Sequence, residues 1–208
     1  MKTFAKTIGV LAALGMASIA MVQEHLKKDE PSVEFRMTMR KLWEDHITYT
    51  RNYIISALAS LPDGDVVLDR LMKNQEELGN AIKPYYGSEA GDTLAKLLKD
   101  HIKIAGDVVK AAAANDKDRL KAEQKRWTEN GKQIAMHLSG ANPKWDHKKL
   151  EDMLQKHLDL TTHEAAARIK KDWAADIKAY DAGHEHMLMF ADMLSEGIVE
   201  QFPAKFKR

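Results

Sequence analysis

From Val33 onward the apolar residues return every three or four positions almost everywhere, and no stretch alternates with period two for long enough to predict a strand. The pattern predicts helices, and chain breakers separate them at Pro62-Asp63-Gly64, Pro84 to Gly87, Asn115-Asp116 and Ser139 to Pro143. Between Pro143 and Gly183 there is neither proline nor glycine, so one further break is placed by charge: Lys170-Lys171 closes one helix and Asp172 N-caps the next. The expected fold is all-α, a six-helix bundle with helices over 33–61, 65–83, 89–114, 117–140, 147–170 and 173–200.

Three of these helices share a phrase. Leu42-Trp43-Glu44-Asp45-His46-Ile47, Leu97-Leu98-Lys99-Asp100-His101-Ile102 and Met153-Leu154-Gln155-Lys156-His157-Leu158 all carry two apolar residues, a histidine three positions later, and Ile or Leu next. The histidines are 55 and 56 residues apart, which predicts three tandem αα-hairpin repeats of about 55 residues. The second helix of each hairpin matches more loosely, through Asn74, Asn130 and His184. Alignment selects Asn74 in the first hairpin, whereas equal distance from the loop selects Asn80; Asn74 shares a face with Leu71 and Leu78.

Each repeat histidine interrupts an otherwise apolar stripe. Leu42, His46, Thr50 and Tyr53 share one face, as do Leu97, His101, Ala105 and Val108, then Leu154, His157, Thr161 and Glu164, and finally Ile177, Asp181, His184 and Leu188. Packed side by side, these helices would form a polar layer inside an apolar core. A buried polar group without a partner costs about 1–3 kcal/mol, so the layer must satisfy itself, hold water or hold a ligand. Imidazoles with carboxylates are ligands for zinc, copper, nickel or iron, and helical bundles build such sites from facing helices. His46, His101, His157, His184, Asp181 and Glu164 are the candidate metal ligands, and Asn74, Asn130, Thr50 and Thr161 are candidates to orient the imidazoles. The competing expectation is three satisfied hydrogen-bonded histidines copied with a duplicated scaffold, and no metal. Met187, Met189 and Met193 beside His184 and His186 suit Cu(I), although methionine is also ordinary core filler.

Composition narrows the choice. Residues 1–20 read as a signal peptide, with Lys2 and Lys6 ahead of a short apolar run and small residues at Ser18 and Ala20. Residues 21–32 then form a linker, 33–203 the bundle and 204–208 a tail, which places the protein outside the cytoplasm, periplasmic or extracellular, unless the leader is kept as an anchor. Without Lys2 and Lys6 the 32 basic residues fall to 30 against 31 acidic ones, a balance that argues against nucleic acid as a partner. No later segment is apolar enough to span a bilayer. The absence of cysteine excludes disulfides, thiolate zinc sites, thiol nucleophiles and covalent haem attachment.

Leu42-Trp43-Glu44-Asp45-His46, Leu97-Leu98-Lys99-Asp100-His101-Ile102, Ala141-Asn142-Pro143, His157-Leu158-Asp159-Leu160-Thr161, Ala179-Tyr180-Asp181 with His184, and Ala191-Asp192-Met193-Leu194 resemble a group of small exported bacterial helical proteins without an established activity. The resemblance covers most of residues 35–203 and implies a helical fold and an exported location; it transfers no functional residue. Members sometimes carry the name glycosyltransferase, but a chain with no parallel-sheet signal and no nucleotide-binding loop lacks the equipment for that chemistry. The motifs of hemerythrin and of ferritin-like di-iron proteins are absent as well. Three readings follow: a protein that binds a transition-metal ion for storage, sensing or delivery; an envelope scaffold with structural histidines; and a metal-assisted or acid-base enzyme.

Overall fold

A computed structural model describes the backbone of residues 4–207 and the side chains of residues 31–207. The leader expected at residues 1–20 lies outside the residues whose side chains are described. The described chain is all-α, with α1 at Phe4–Ala59, α2 at Gly64–Ala113, α3 at Lys117–Ala141, α4 at His147–Ile169, α5 at Trp173–Gln201 and a short 3-10 helix at Pro203–Phe206. Residues 21–32 run inside α1. Among the described residues no helix is long and apolar enough to cross a membrane.

Five helices stand where six were expected, because the break at Pro84 to Gly87 is a kink rather than a loop. Gly87 alone leaves the helical region, at φ 83° and ψ 171°, and helical turns run up to it from both sides. Positive φ is costly for a residue with a Cβ and free of that cost for glycine. The two arms of α2 fold back on each other: Lys83 pairs with Asp92 at 2.6 Å, and Glu76 pairs with Lys99 further along. They are close enough that a Cβ on Gly79 would collide with the Gly91 carbonyl oxygen and lie 2.8 Å from Ala95 Cβ.

That apposition predicts the sign of Gly79→Ala. Alanine gains about 1 kcal/mol over glycine in a helix interior, whereas overpacking costs about 1–3 kcal/mol, and a backbone oxygen cannot turn aside as a side chain can. The variant should unfold at a lower urea concentration than the parent; an equal or higher midpoint would mean the arms stand further apart.

Three of the remaining four turns are built alike, the exception being the one at Asn142, whose backbone is extended. Ser60, Asn115 and Lys171 adopt φ of 52°, 53° and 60°. The next residue in each case donates its N–H to a carbonyl five residues back: Leu61 to Ser56 at 2.9 Å, Asp116 to Ala111 at 3.0 Å and Asp172 to Ala167 at 3.0 Å. This is the Schellman closure of a helix C-terminus. Asp116, Asp146 and Asp172 then cap the following helices, accepting from the backbone N–H of Arg119, Lys149 and Ala175 at 3.0, 2.7 and 3.1 Å. The expected break at Lys170 to Asp172 is found there.

Each helix packs on its neighbour in sequence, and α1 packs on α5, so the bundle closes on itself. Arg40 and Arg36 of α1 reach Asp192 of α5 at 2.6 and 3.4 Å along that seam. The continuous core runs through Met39, Trp43, Leu78, Leu98, Leu150 and Phe190, each at most 3 % exposed. Within the tail expected at residues 204–208, Phe206 is buried, with its ring 5.3 Å from Phe35 and 5.5 Å from Tyr85.

Candidate functional site

His46 on α1, His101 on the second arm of α2 and His157 on α4 meet inside the bundle, each 2–3 % exposed. The ring centres of His46 and His157 lie 5.7 Å apart, and those of His101 and His157 5.8 Å apart with the planes nearly stacked. The helical phase inferred for these three residues is the observed one.

His101 is closed at both nitrogens. Trp127 Nε1 donates to its Nε2 at 3.1 Å, and its Nδ1 lies 2.8 Å from Asn130 Oδ1. An indole can only donate, so Nε2 accepts and the proton sits on Nδ1, from which it is given to Asn130. Asn130 in turn donates Nδ2 to the Leu97 carbonyl at 3.1 Å, which fixes the orientation of its amide. Burial lowers the His101 pKa to about 4, against a smaller opposing effect of Asn130. Asn130→Ala strands the His101 Nδ1 proton, while the Leu97 carbonyl keeps its intrahelical partner, and should cost about 1–3 kcal/mol in urea unfolding; a loss below about 0.5 kcal/mol would mean that water replaces the amide.

His46 and His157 are different. Nδ1 of each is buried without a hydrogen-bond partner, as are Gln75 Oε1 and Thr50 Oγ1. Burial, and then the neighbouring His101, push the His46 pKa down to about 3, with the Gln75 side chain opposing weakly. Burial, then His46, His101 and His186, hold His157 well below the ordinary imidazole value. All three rings are therefore neutral near pH 7.

The residues expected to orient the imidazoles mostly do other work. Of the four, Asn130 bonds an imidazole. Asn74 donates to the Leu42 carbonyl at 2.9 Å and accepts from Gln75 Nε2 at 3.1 Å. Asn80 is exposed, so alignment rather than loop distance chose the inward residue. Thr161 donates to the His157 carbonyl at 3.0 Å within its own helix. Gln75 escaped the sequence reading although it follows Asn74 directly; so did Trp127, whose N–H orients His101.

Three of the six expected ligands lie elsewhere. Asp181 is exposed, and His184 sits at the surface with Nε2 3.4 Å from Glu44 Oε1. The reason is helical phase: α5 buries Gly183, Met187, Phe190 and Leu194, a face turned away from the Ile177-Asp181-His184 stripe. His186, two residues on, faces inward and bonds the Met153 carbonyl through Nε2 at 2.8 Å.

Glu164 is buried, but in a separate cluster of charges. Its Oε1 is 2.7 Å from Arg51 Nη1, and the same guanidinium grips Asp176 at 2.9 and 3.2 Å. Arg168 adds a second contact to Asp176 at 2.8 Å, and the Tyr180 ring lies 4.6 Å from the Arg51 guanidinium carbon. Burial raises the Glu164 pKa to about 7 despite Arg51, whereas for Asp176 the hydrogen bonds from Arg51 and Arg168 outweigh burial and keep the carboxyl below its usual range. Asp176 carried no signal in the sequence beyond its place in the first turn of α5. Among the described residues no three His, Asp or Glu side chains form a group arranged to hold a metal ion.

Fold and site together define an all-α bundle that seals three neutral histidines in its core. Compared with known proteins, the chain matches no family model, no curated protein and no solved structure.

Proposed function

We propose that this protein binds a transition-metal ion at the buried histidine layer, for storage, sensing or delivery, in an exported scaffold of three αα-hairpins. The observation that carries the reading is the pair of buried, unpartnered Nδ1 atoms on the neutral rings of His46 and His157. Two such atoms cost about 1–3 kcal/mol each when nothing accepts or donates to them, and a cation offers lone pairs what a dry core does not.

The three-hairpin reading draws support from recurring contacts. Each repeat histidine is followed 14 residues later by a positive-φ turn residue, Ser60, Asn115 or Lys171. The carbonyl four residues before each histidine, at Leu42, Leu97 or Met153, accepts from Asn74, Asn130 or His186, which are spaced by 56 residues. The third repeat is thus aligned through His186, two positions from His184, and the two arms of α2 supply a helix to each of two hairpins.

The second reading, a scaffold with a purely structural layer, is favoured by His101, which is fully satisfied without any ligand. Elemental analysis of untagged protein purified without chelator, followed by titration with zinc, copper, nickel and iron, separates the two. One equivalent of metal, lost in His46→Leu with helicity intact, supports the site. No metal, and no binding tighter than micromolar, leaves the histidines as core architecture.

A further inference from the structure

Resting on that reading, we infer that the ion is a soft monovalent one, Cu(I), held between His46 and His157, and that His101 positions His157 without binding the ion.

The donor chemistry sets the charge. The carboxylates expected in the layer are absent from it: Glu164 is committed to Arg51, and Asp181 is exposed. What remains is neutral, the imidazole nitrogens with Gln75 Oε1 and Thr50 Oγ1, so any ion keeps its full charge inside an apolar core. The solvation lost on burial grows with the square of the charge, which makes a divalent ion about four times as costly as a monovalent one. Imidazole is a good copper ligand, and a filled d-shell lets Cu(I) accept two nitrogens alone.

The spacing agrees. Two imidazoles on opposite sides of one ion, at metal–nitrogen distances of about 2 Å, place their ring centres about 6 Å apart; those of His46 and His157 are 5.7 Å apart. His101 is held off by its own partners, since Asn130 and Trp127 occupy both of its nitrogens, while its ring stacks on His157 at 5.8 Å and limits how that ring can turn. A neutral imidazole already presents one lone pair, so binding releases no proton.

The test is an anaerobic Cu(I) titration of the full chain against a chromophoric Cu(I) chelator, with Zn(II) measured in parallel and X-ray absorption on the copper-loaded protein. The expected result is one Cu(I) per chain, at least 100-fold tighter than Zn(II), weakened at least 100-fold in His157→Leu, with two nitrogen scatterers and no sulfur. Zn(II) or another divalent ion bound as tightly as Cu(I) through the same histidines would overturn this inference and leave the metal reading standing. Sulfur scattering, or Cu(I) affinity that survives His157→Leu, would move the copper to methionines and overturn it as well. If no ion binds, both fall. Should His157→Leu fail to fold, the absorption spectrum of the parent protein decides.

Discussion

Chelator-treated protein should lose stability steeply on mild acidification, by roughly 3 kcal/mol per pH unit between pH 6.5 and 4.5. Three imidazoles are neutral and buried in the fold, with His46 near pKa 3, His101 near 4 and His157 well depressed. Folded values below the unfolded 6.5 give a contribution that is complete above that pH and is lost as pH falls. One pKa unit is 1.36 kcal/mol per group, so the three together give roughly 4 kcal/mol per pH unit. Glu164 runs the other way: its folded pKa of about 7 exceeds the unfolded 4.5, so its contribution is present below pH 4.5 and lost as pH rises towards 7. It returns about 1.4 kcal/mol per unit in that window. Against a total stability of about 5–15 kcal/mol, the loss of about 5 kcal/mol by pH 4.5 brings a protein at the lower end of that range to its unfolding midpoint. Urea midpoints at several pH values would read a net uptake of about two protons on unfolding, reduced by one in His157→Leu. A flat profile would mean that the rings are solvated or already charged.

Arg51→Ala should destabilise the protein by about 3–5 kcal/mol. The side chain is 13 % exposed and ties α1 to Glu164 on α4 and Asp176 on α5, so its loss leaves two buried carboxylates facing each other. Two effects place the result near the lower end of that range. Glu164 can take up a proton, since its pKa already stands near 7, and Asp176 keeps Arg168 at 2.8 Å. Arg51→Lys should recover less than half of the loss, because an ammonium cannot grip Asp176 with two nitrogens and reach Glu164 as well. A loss under 1 kcal/mol in Arg51→Ala, measured by urea unfolding at pH 7.5, would show that water screens the cluster.

How far the sequence could be read depended on whether a feature is local or phased by neighbours. Turn chemistry is local, so Lys170-Lys171-Asp172 and Asn115-Asp116 marked true helix ends. The inward phase of α1, α2 and α4 was legible because each histidine follows two large apolar residues that the core claims. On α5 two apolar stripes compete, and the shape of the partner helices chose the one through Gly183, Met187 and Phe190, which sent Asp181 and His184 outward. Glu164 was correctly placed as buried, yet its partner Arg51 is 113 residues away and Asp176 a further helix on; spacing within one helix holds no record of such a meeting. The reversal at Gly87 was also legible, since Pro84 to Gly87 marked a break there, but not that helical turns would run up to Gly87 from both sides.

The seam between α1 and α5 matters for the order of the chain itself. Because the last helix lies beside the first, with the Phe206 ring against Phe35, the ring of helices has no structural beginning. A circularly permuted chain, joined from Phe206 to Phe35 by a short flexible link and opened at the exposed Asn115 turn, keeps every interhelical neighbour. The turns at Ser60 and Lys171, built like the one at Asn115, are equivalent places to open it.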